Sequence, residues 1–541
     1  MSASLLALLA LFSAAILIVN GGHFAYTLDA PYTHLALAEQ INHGTYGIDP
    51  GEPSAPSSSI LFPLLLVPLL SLGQYGPVLI CIVATIGSGL AVCALAEACG
   101  IQLKRMRPLH LSAITASLAM SLNVIGVALT GLEHALHITL TILSLLGLVR
   151  FMQRGRSDWW WLLTIVLLPL VRFESMSAVL TDAFVLFVFN KRSYAVLTLA
   201  TGFSLIIGFA LFLHSQGLPY FPSSVTARSQ IVSTGLGMQR HHGLVPVLHS
   251  IEGLLKANLL SFGASQILLM MVLAGWRLGP FLSEMHRSVL RSHTSAPATP
   301  GAARFVTSAA AGFFILIAAA QLLAGSLQSS GRYEVYLFSL GACSLMVCYR
   351  DRVVSFVDTM RTGQCIGVCL TALALFSGYI VRYADDLRSS QTTYAGSLQI
   401  RRFIVDDYQR PVATTRPGIL KFRDPHYILD LSGLFSAQVQ AALTSHAADD
   451  NRWMDDLVRQ HNIGLAILYF DAATKPPAGW IPMAELRATN PSLGMQGYIA
   501  TFYAVRPEDA ASILVALRGF QHDLYKTAYL RFDVQTRAAS K

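Results

Sequence analysis

Charged residues are scarce in this chain of 541 residues: Asp, Glu, Lys and Arg make up 13% of it, against roughly 25% in soluble domains. Apolar residues make up 53%, and the mean hydropathy is +0.53. Uncharged apolar runs, such as residues 78–95 and 196–213, are long enough to cross a bilayer. This composition excludes a soluble cytosolic protein and predicts a polytopic membrane protein.

Cysteine is also sparse. The seven cysteines lie within or beside apolar segments, and no two have the CxxC spacing of a metal site. We interpret them as small hydrophobic residues. The net charge of +8 would suggest nucleic acid in a soluble protein, but here basic loops set the membrane orientation, so we expect no nucleic-acid partner.

The apolar runs predict eleven transmembrane helices for a hydrocarbon core of ~30 Å. They cover residues 3–20, 77–99, 109–129, 134–149, 159–171, 175–190, 193–213, 262–278, 305–326, 333–349 and 362–381. With the N-terminus inside, the inner loops carry fifteen Lys and Arg and the outer segments between spans carry five, as the positive-inside rule requires. The shorter run Ile60–Leu72, with two prolines, predicts a re-entrant or interfacial helix on the outer face.

The first twenty residues have two interpretations. They lack the basic start of a secretory signal and end in no clear cleavage site, which favours a retained first span. The alternative is a cleaved signal peptide.

The composition changes after residue 381. Residues 382–541 carry 18 of the 38 Lys and Arg, and an odd number of spans places them outside. Strand-like runs at 465–470 and 498–505 alternate with helix-like runs at 437–443, 453–461 and 509–520. The sequence therefore predicts a transmembrane domain at 1–381, including an outer-face loop at 21–76, and a soluble extracytoplasmic α/β domain at 382–541, which contains no cysteine.

The outer-face loop contains the first candidate for chemistry. Pro31 suits the first turn of a helix, and Leu35, Ala38 and Ile41 fall roughly on one face, which predicts a short amphipathic helix along the membrane. Asp29 directly precedes that helix, at the water boundary where a lipid headgroup would be presented. It is a candidate general base, and the alternative is that it only caps the helix.

Further polar groups fall at the outer ends of predicted spans. Ionisable groups at membrane depth usually face a cavity or a partner. Arg172 and Glu174 have the alternative of a purely structural ion pair. In a sugar transfer, a carboxylate could take the proton of the attacking hydroxyl, while a cation or divalent metal offsets the charge on a leaving phosphate. The polar groups at the outer span ends are Glu133 after Gly131-Leu132, Arg172 with Glu174, and Gly331-Arg332-Tyr333-Glu334.

The order of short motifs resembles that of the GT-C glycosyltransferases, multispanning enzymes that use polyprenyl-phosphate sugars, and particularly their bacterial arabinofuranosyltransferase-like branch. The matching stretches are Asp29-Ala-Pro-Tyr32, His43-Gly44, Asp49-Pro-Gly-Glu52, Ser57-Ser-Ser59, Thr130-Gly-Leu-Glu133, Arg172-Phe-Glu174, Pro222-Ser-Ser-Val-Thr-Ala-Arg228, Gly331-Arg332-Tyr333 and Ile428-Leu-Asp430-Leu-Ser-Gly433-Leu434. The chain departs from the family at Ala30, where the family has a second Asp, and at Ser223 and Arg228, where it has Asn and Lys.

This resemblance implies a polytopic α-helical GT-C-like protein in a bacterial inner membrane, with its C-terminal domain in the periplasm. It implies transfer of a sugar, with inversion, from a polyprenyl phosphate to a hydroxyl of an envelope glycan, lipid or protein. Asp29 would be the general base. Donor or acceptor would be bound by Tyr32, Glu52, Glu133, Arg172, Glu174, Arg228, Arg332 and Tyr333.

A divalent cation, Mg²⁺ or Mn²⁺, is a candidate cofactor. Because Ala30 removes one family carboxylate, the remaining candidate ligands are Asp29, Glu133 and His134. His34 could supplement such a site, although a lone interfacial histidine is more often structural.

Two other classes of function stay open at this stage. A transporter or flippase would place its ionisable groups near the bilayer midplane, usually with internal repeats, and the sequence shows no such repeat. An inactive relative could act as a scaffold for envelope assembly, for which the loss of the second Asp is the best argument. The sequence identifies neither the sugar nor the acceptor.

Overall fold

The computed structural model describes residues 1–188, 191–223, 225, 244–279, 302–327, 331–445, 451–469, 475–488 and 499–532. Its N-terminal part is helical. The helices are α1 (Ser2–Val19), α2 (Ala30–Asn42), α3 (Leu61–Leu66), α4 (Gly76–Ala98), α5 (Pro108–Ser121), α6 (Val124–Leu129), α7 (His134–Arg154), α8 (Trp159–Val171), α9 (Met176–Val188), α10 (Arg192–Ser215), α11 (Leu244–Leu259), α12 (Phe262–Gly275), α13 (Ala302–Ala324), α14 (Val335–Cys348), α15 (Arg350–Thr359), α16 (Thr362–Leu375) and α17 (Ser377–Thr393).

Each predicted span coincides with one or more of these helices, but the number of full spans differs from eleven. Within the described ranges, five helices are long and apolar enough to cross a membrane, or seven if two sharply bent pairs each form one span. The difference has two physical sources. Helices α8 and α14 have only 13 and 14 residues, and the predicted span 109–129 is interrupted at Asn123, whose φ of +56° lies in the left-handed region.

The apolar run at 60–72 forms α3 and a 3₁₀ segment, Val67–Tyr75, that leads into α4. Gly73 breaks the helical path between them, with φ +56° and ψ −131°. A Cβ at this glycine would lie 2.9 Å from a guanidinium nitrogen of Arg423 in the C-terminal domain. The backbone conformation therefore favours glycine here, whereas the end of the exposed Arg423 side chain could shift to make room for a Cβ.

The C-terminal domain is built around a mixed six-stranded sheet. Its strands are β1 (Val412–Thr414), β2 (Ile428–Asp430), β3 (Leu465–Tyr469), β4 (Ile481–Ala488), β5 (Ile499–Ala504) and β6 (Ala528–Arg531), in the order β2-β1-β3-β5-β4-β6. Strand β1 pairs in parallel with β2 and β3, and the other pairs are antiparallel.

Helices accompany this sheet. They are α18 (Gln399–Arg402), α19 (Pro417–Lys421), α20 (Ala437–Ser445), α21 (Arg452–Gln460) and α22 (Ala510–His522). The predicted strand runs correspond to β3 and β5, and the three predicted helix runs to α20, α21 and α22. An α/β character for this domain is therefore confirmed.

The outer-face loop, residues 21–76, is the first outer loop, and it lies between the membrane helices and the C-terminal domain. Helix α2 forms where it was predicted, with Pro31 in its first turn, but Pro31 to Ala38 are all buried. The prediction of an amphipathic helix with one wet face was therefore wrong. A Cβ at Gly418 of α19 would come 2.2 Å from Oγ1 of Thr33, so α2 and α19 are in close contact. Because they touch, the first outer loop and the C-terminal domain lie on the same side of the membrane.

Candidate functional site

Three segments bring five ionisable side chains together. We call Glu133, Arg172, Glu174, His34 and His134 the charged cluster. Glu133 directly precedes α7, and Arg172 directly follows α8. Because Arg172 leaves the helix with an extended backbone (φ −151°, ψ 132°), its side chain reaches both Glu133 and the short 3₁₀ turn that contains Glu174.

The guanidinium of Arg172 holds the two carboxylates. Its Nη1 donates to Oε1 of Glu133 at 2.7 Å, and its Nε and Nη2 donate to the two carboxylate oxygens of Glu174 at 3.1 and 2.6 Å. Arg172 and Glu133 are only 3% and 1% exposed. Arg172 therefore pairs with Glu174, and Glu133 extends this pair to a triad in which Arg172 and Glu133 are buried and Glu174 is partly exposed.

Electrostatics keep this triad ionised. Burial alone would raise the pKa of the Glu133 carboxyl, but His34 and the charge of Arg172 outweigh it and hold that pKa well below its usual range. Burial also opposes the charge of Glu174, and Arg172 again lowers its pKa. The cluster therefore contains two carboxylates and one shared guanidinium at neutral pH.

The first outer loop contributes to the cluster through His34 and Ser58. His34 Nε2 lies 3.5 Å from Glu133 Oε2, and Ser58 donates to Glu133 Oε1 at 3.2 Å. Ser57 Oγ lies 3.2 Å from His34 Nδ1. The sequence predicted the serines as part of a motif and His34 only as a supplementary metal ligand. The contact of His34 with the cluster becomes evident only once α2 is known to be buried between the membrane helices and the C-terminal domain.

Arg332 and Tyr333 border the cluster. The His134 and Tyr333 rings meet edge to face at 5.3 Å, and Arg172 lies over the Tyr333 ring at 5.1 Å. Arg332 also lies over that ring, at 5.0 Å, and donates from Nη2 to the Tyr333 hydroxyl at 3.1 Å. Asn123 fixes the segment by donating to the Gly331 carbonyl at 3.1 Å.

The rest of the Arg332 guanidinium is unpaired. The residue is 8% exposed, yet its Nε and Nη1 have no hydrogen-bond partner among the residues that the structure describes. An unpaired buried cation is costly, so an anion at this position would be strongly favoured.

Asp29 lies at the N-terminus of α2 with an exposed side chain that makes no capping hydrogen bond. Asp29 is nevertheless the N-cap residue of α2, and its carbonyl accepts the backbone N–H of Tyr32 at 3.0 Å, so the role of its carboxylate, as general base or as helix cap, stays a prediction. Its loop reaches the cluster through Tyr26, because a Cβ at Gly131 would lie only 2.3 Å from the Tyr26 ring. Gly131 precedes Glu133 by two residues, and Tyr26 precedes Asp29 by three.

Two predicted site residues lie elsewhere. Tyr32 is fully buried between the rings of Tyr26 and Phe422, at 5.5 and 5.8 Å. Glu52 contacts the C-terminal domain, where it accepts hydrogen bonds from Tyr427 at 2.7 Å and Ser436 at 2.6 Å.

The last predicted site residue, Arg228, lies outside the described residues. The motif that contains it begins within them, where Ser223 donates to the carbonyls of Ala55 and Leu434 at 3.0 and 2.5 Å. The start of this motif therefore bridges the first outer loop and the C-terminal domain.

The candidate metal ligands are not assembled into a metal site. Over the described ranges, no group of three or more His, Cys, Asp and Glu side chains is placed to hold a metal ion. Arg172 already supplies the positive charge beside Glu133, and Asp29 is exposed. A divalent cation bound by Asp29, Glu133 and His134 stays a prediction.

Comparisons with known proteins give a family match in one region and several structural neighbours. Residues 383–504 match the family model of a domain of unknown function, DUF8728. No curated protein matches the chain in sequence. One neighbour is the apo crystal structure of ArnT from Cupriavidus metallidurans, with 12% identity, a TM-score of 0.40 and coverage of 93% of this chain and 98% of that one.

Another neighbour is the apo oligosaccharyltransferase of Archaeoglobus fulgidus, with 14% identity, a TM-score of 0.41 and coverage of 86% of this chain and 69% of that one. At this level of similarity, these neighbours carry no argument about mechanism or substrate, which rest on the residues of this chain.

Proposed function

We propose that this chain is an integral-membrane glycosyltransferase that moves a sugar from a polyprenyl-phosphate donor to a hydroxyl of an envelope glycan, lipid or protein acceptor, with inversion. The proposal rests on Arg332, a buried arginine beside the charged cluster, two of whose guanidinium nitrogens have no hydrogen-bond partner in the described part of the chain. A phosphate would supply the missing acceptors, because guanidinium geometry matches phosphate oxygens.

The neighbouring groups favour a phosphate at Arg332 over one at Arg172. Arg172 already donates to Glu133 and Glu174, so its charge is compensated. Among the described residues, Arg332 donates one hydrogen bond, to the Tyr333 hydroxyl, and lies over the Tyr333 ring. We therefore assign Arg332 to the donor phosphate and Arg172, with its two carboxylates, to the shape of the site. Arg228 stays a candidate second phosphate ligand.

Asp29 is the proposed base. Its carboxylate is exposed and unpaired among the described residues, so it can accept a proton. The acceptor hydroxyl loses its proton to Asp29 as its oxygen attacks the anomeric carbon. The bond from that carbon to the donor phosphate breaks, and the departing phosphate gains charge that Arg332 stabilises. One displacement of this kind inverts the anomeric centre.

The proposal places the protein in a bacterial inner membrane, with the first outer loop and the C-terminal domain on the extracytoplasmic side. Contact between α2 and α19 supports a common side for these two parts. The charge distribution of the loops supports that side being the outer one.

The test is a transfer assay with purified protein, radiolabelled polyprenyl-phosphate sugars and detergent-solubilised envelope acceptors. Arg332→Met should lower donor affinity at least ~10-fold while leaving the unfolding midpoint unchanged or higher, because it removes an unpaired buried charge. Arg105→Met, which removes the exposed pair with Asp358, is the matched control and should change neither quantity.

Three outcomes would overturn the proposal. Unchanged donor affinity in Arg332→Met would remove the phosphate from this residue. Movement of intact donor across proteoliposome membranes without transfer would indicate a flippase. Donor binding without transfer to any acceptor, in the wild type, would indicate a scaffold.

A further inference from the structure

A second site lies between the first outer loop and the C-terminal domain. A cavity of about 410 Å³ is lined there by Pro50–Pro53 of the loop, by the segment 216–218 that follows α10, and by the C-terminal domain. This volume falls within the ~300–1,000 Å³ of small-molecule sites. The side chains that the C-terminal domain contributes are Tyr427, Ala437, Gln438 and His461.

One wall of the cavity is aromatic. The rings of Tyr427 and His461 stack with centroids 4.4 Å apart and planes inclined by 15°. Both side chains are only partly buried. A stacked, partly exposed pair presents a flat, weakly polar surface, which suits the C–H faces of a sugar ring better than it suits a wholly apolar ligand.

Glu52 contributes a negatively charged carboxylate to the lining of the cavity. Its carboxylate is fixed by two neutral donors, Tyr427 and Ser436, and it forms no ion pair among the described residues. A carboxylate has about four acceptor positions, so about two remain for hydroxyl donors. Because no cation neutralises it, Glu52 would repel a phosphate or another anionic headgroup.

Amide groups complete the polar set. Gln438 is exposed, with its Oε1 3.3 Å from Nε2 of His461, and Gln216 lines the other side of the cavity. Amides both donate and accept hydrogen bonds, as each sugar hydroxyl does. The combination of an aromatic surface, a carboxylate with remaining acceptor positions and two amides is matched to a neutral, polyhydroxylated ligand.

We infer that this cavity binds a neutral oligosaccharide segment of the acceptor, with Glu52, Tyr427, Gln438 and His461 as its contacts. The inference rests on the proposed function for the reaction, but oligosaccharide binding itself does not require transfer. Ser58, which contacts the charged cluster, lies six positions after Glu52, so their Cα atoms are at most ~22 Å apart. An acceptor chain held in the cavity can therefore extend towards the reacting groups.

The test measures binding of neutral oligosaccharides to the full-length protein in nanodiscs, without donor. The probes are short linear arabinan, galactan and mannan fragments, detected by saturation-transfer NMR and titration calorimetry. At least one class should bind, and His461→Ala and Glu52→Gln should each weaken it at least ~5-fold. His522→Ala, an exposed histidine of the same domain that does not line the cavity, is the control and should bind as the wild type does.

The two proposals can fail separately. If oligosaccharides bind and the two variants weaken binding, but no sugar is transferred, the cavity assignment holds and the proposed reaction fails. If transfer occurs but none of the three fragment classes binds, or if His461→Ala and Glu52→Gln bind as the wild type does, the cavity assignment is overturned. A preference for anionic over neutral fragments would overturn it as well.

Discussion

Lys421 Nζ lies 2.8 Å from Asp49 Oδ1, and this ion pair joins the C-terminal domain to the first outer loop with both side chains at most 4% exposed. Lys421 also donates to the His426 carbonyl at 2.7 Å, and Asp49 accepts the backbone N–H of Ile428 at 3.2 Å. Both charges are therefore hydrogen-bonded as well as paired, which offsets the cost of removing them from water.

Lys421→Met should loosen the docking of the C-terminal domain, because it leaves Asp49 buried without its cation. Loss of one partner of a buried pair costs about 3–5 kcal/mol. The expected result is faster release of the domain by limited proteolysis. The double variant Asp49→Asn/Lys421→Met should recover much of the loss, and Arg402→Ala, which removes the more exposed pair with Asp523, should have little effect. Equal proteolysis of Lys421→Met and the wild type would contradict this role.

Arg172→Met should destabilise the membrane part by about 3–5 kcal/mol, because Glu133 would stay buried with no guanidinium. Glu174 is less affected, since its side chain is 35% exposed and can be hydrated. The measurement is the unfolding midpoint in detergent. Glu133→Leu/Arg172→Met should be more stable than Arg172→Met alone, and a double variant that is less stable would show that the two side chains do not form a coupled pair.

Much of the charged cluster could be predicted from the sequence, because its members follow or precede apolar spans directly. Glu133, Arg172 and Arg332 sit at span ends, and the end of a span fixes both depth and side of the membrane. The pairing of Arg172 with Glu174, two positions away, was foreseen, but that of Arg172 with Glu133 was not, since it depends on which helices are neighbours. The two Arg332 nitrogens that lack partners among the described residues depend in turn on this packing.

The roles of Tyr32 and Glu52 were not predictable for a different reason. Both lie in the first outer loop, and the sequence gives no sign that this loop is covered by the C-terminal domain. Contacts of Tyr32 with Phe422, and of Glu52 with Tyr427, join residues almost 400 positions apart. Such long-range packing decides whether a polar side chain faces a reaction site or an interface, and local periodicity carries no information on it.

Asp29→Asn should reduce transfer by ~10²-fold or more, because the amide keeps the shape of the side chain but cannot accept the proton. Its stability should stay within ~0.5 kcal/mol of the wild type, since the exposed carboxylate makes no capping hydrogen bond. Turnover and unfolding are measured on the same preparation, with Glu97→Gln, another exposed carboxylate, as the control. Near-normal turnover in Asp29→Asn would remove it as the base.

Asp430 should make the C-terminal domain more stable as the pH falls from about 6 towards 4. Burial raises the pKa of this carboxyl from its ordinary value of 3.8 to about 6, although Ser432 and backbone N–H groups lower it. The folded domain therefore takes up a proton at higher pH than the unfolded chain does. Above pH 6 the burial penalty is complete, and it is relieved as the proton binds.

The free energy of unfolding should rise by at most about 3 kcal/mol. This follows from ~1.4 kcal/mol per pH unit over the interval between the Asp430 pKa values of 3.8 in the unfolded chain and about 6 in the folded domain. Thermal unfolding of the wild type between pH 7 and pH 4 measures it. Asp430→Asn cannot titrate and should lose this part of the pH dependence, leaving the part due to Asp49, whose pKa burial also raises to about 6. Identical pH profiles for the two proteins would exclude a contribution from Asp430.

Reporter fusions should place the C-terminal domain outside the cytoplasm. The ion pair of Asp49 with Lys421 and the hydrogen bond from Tyr427 to Glu52 require the first outer loop and this domain to share one side. That loop has no Lys or Arg in residues 21–76, whereas the proposed inner loops are basic, so the shared side is the outer one. Alkaline phosphatase fused after Arg388 or Lys541 should be active, and the same enzyme fused after Arg105 should not. Activity of the Arg105 fusion alone would invert the topology, and with it the side from which donor and acceptor reach Asp29.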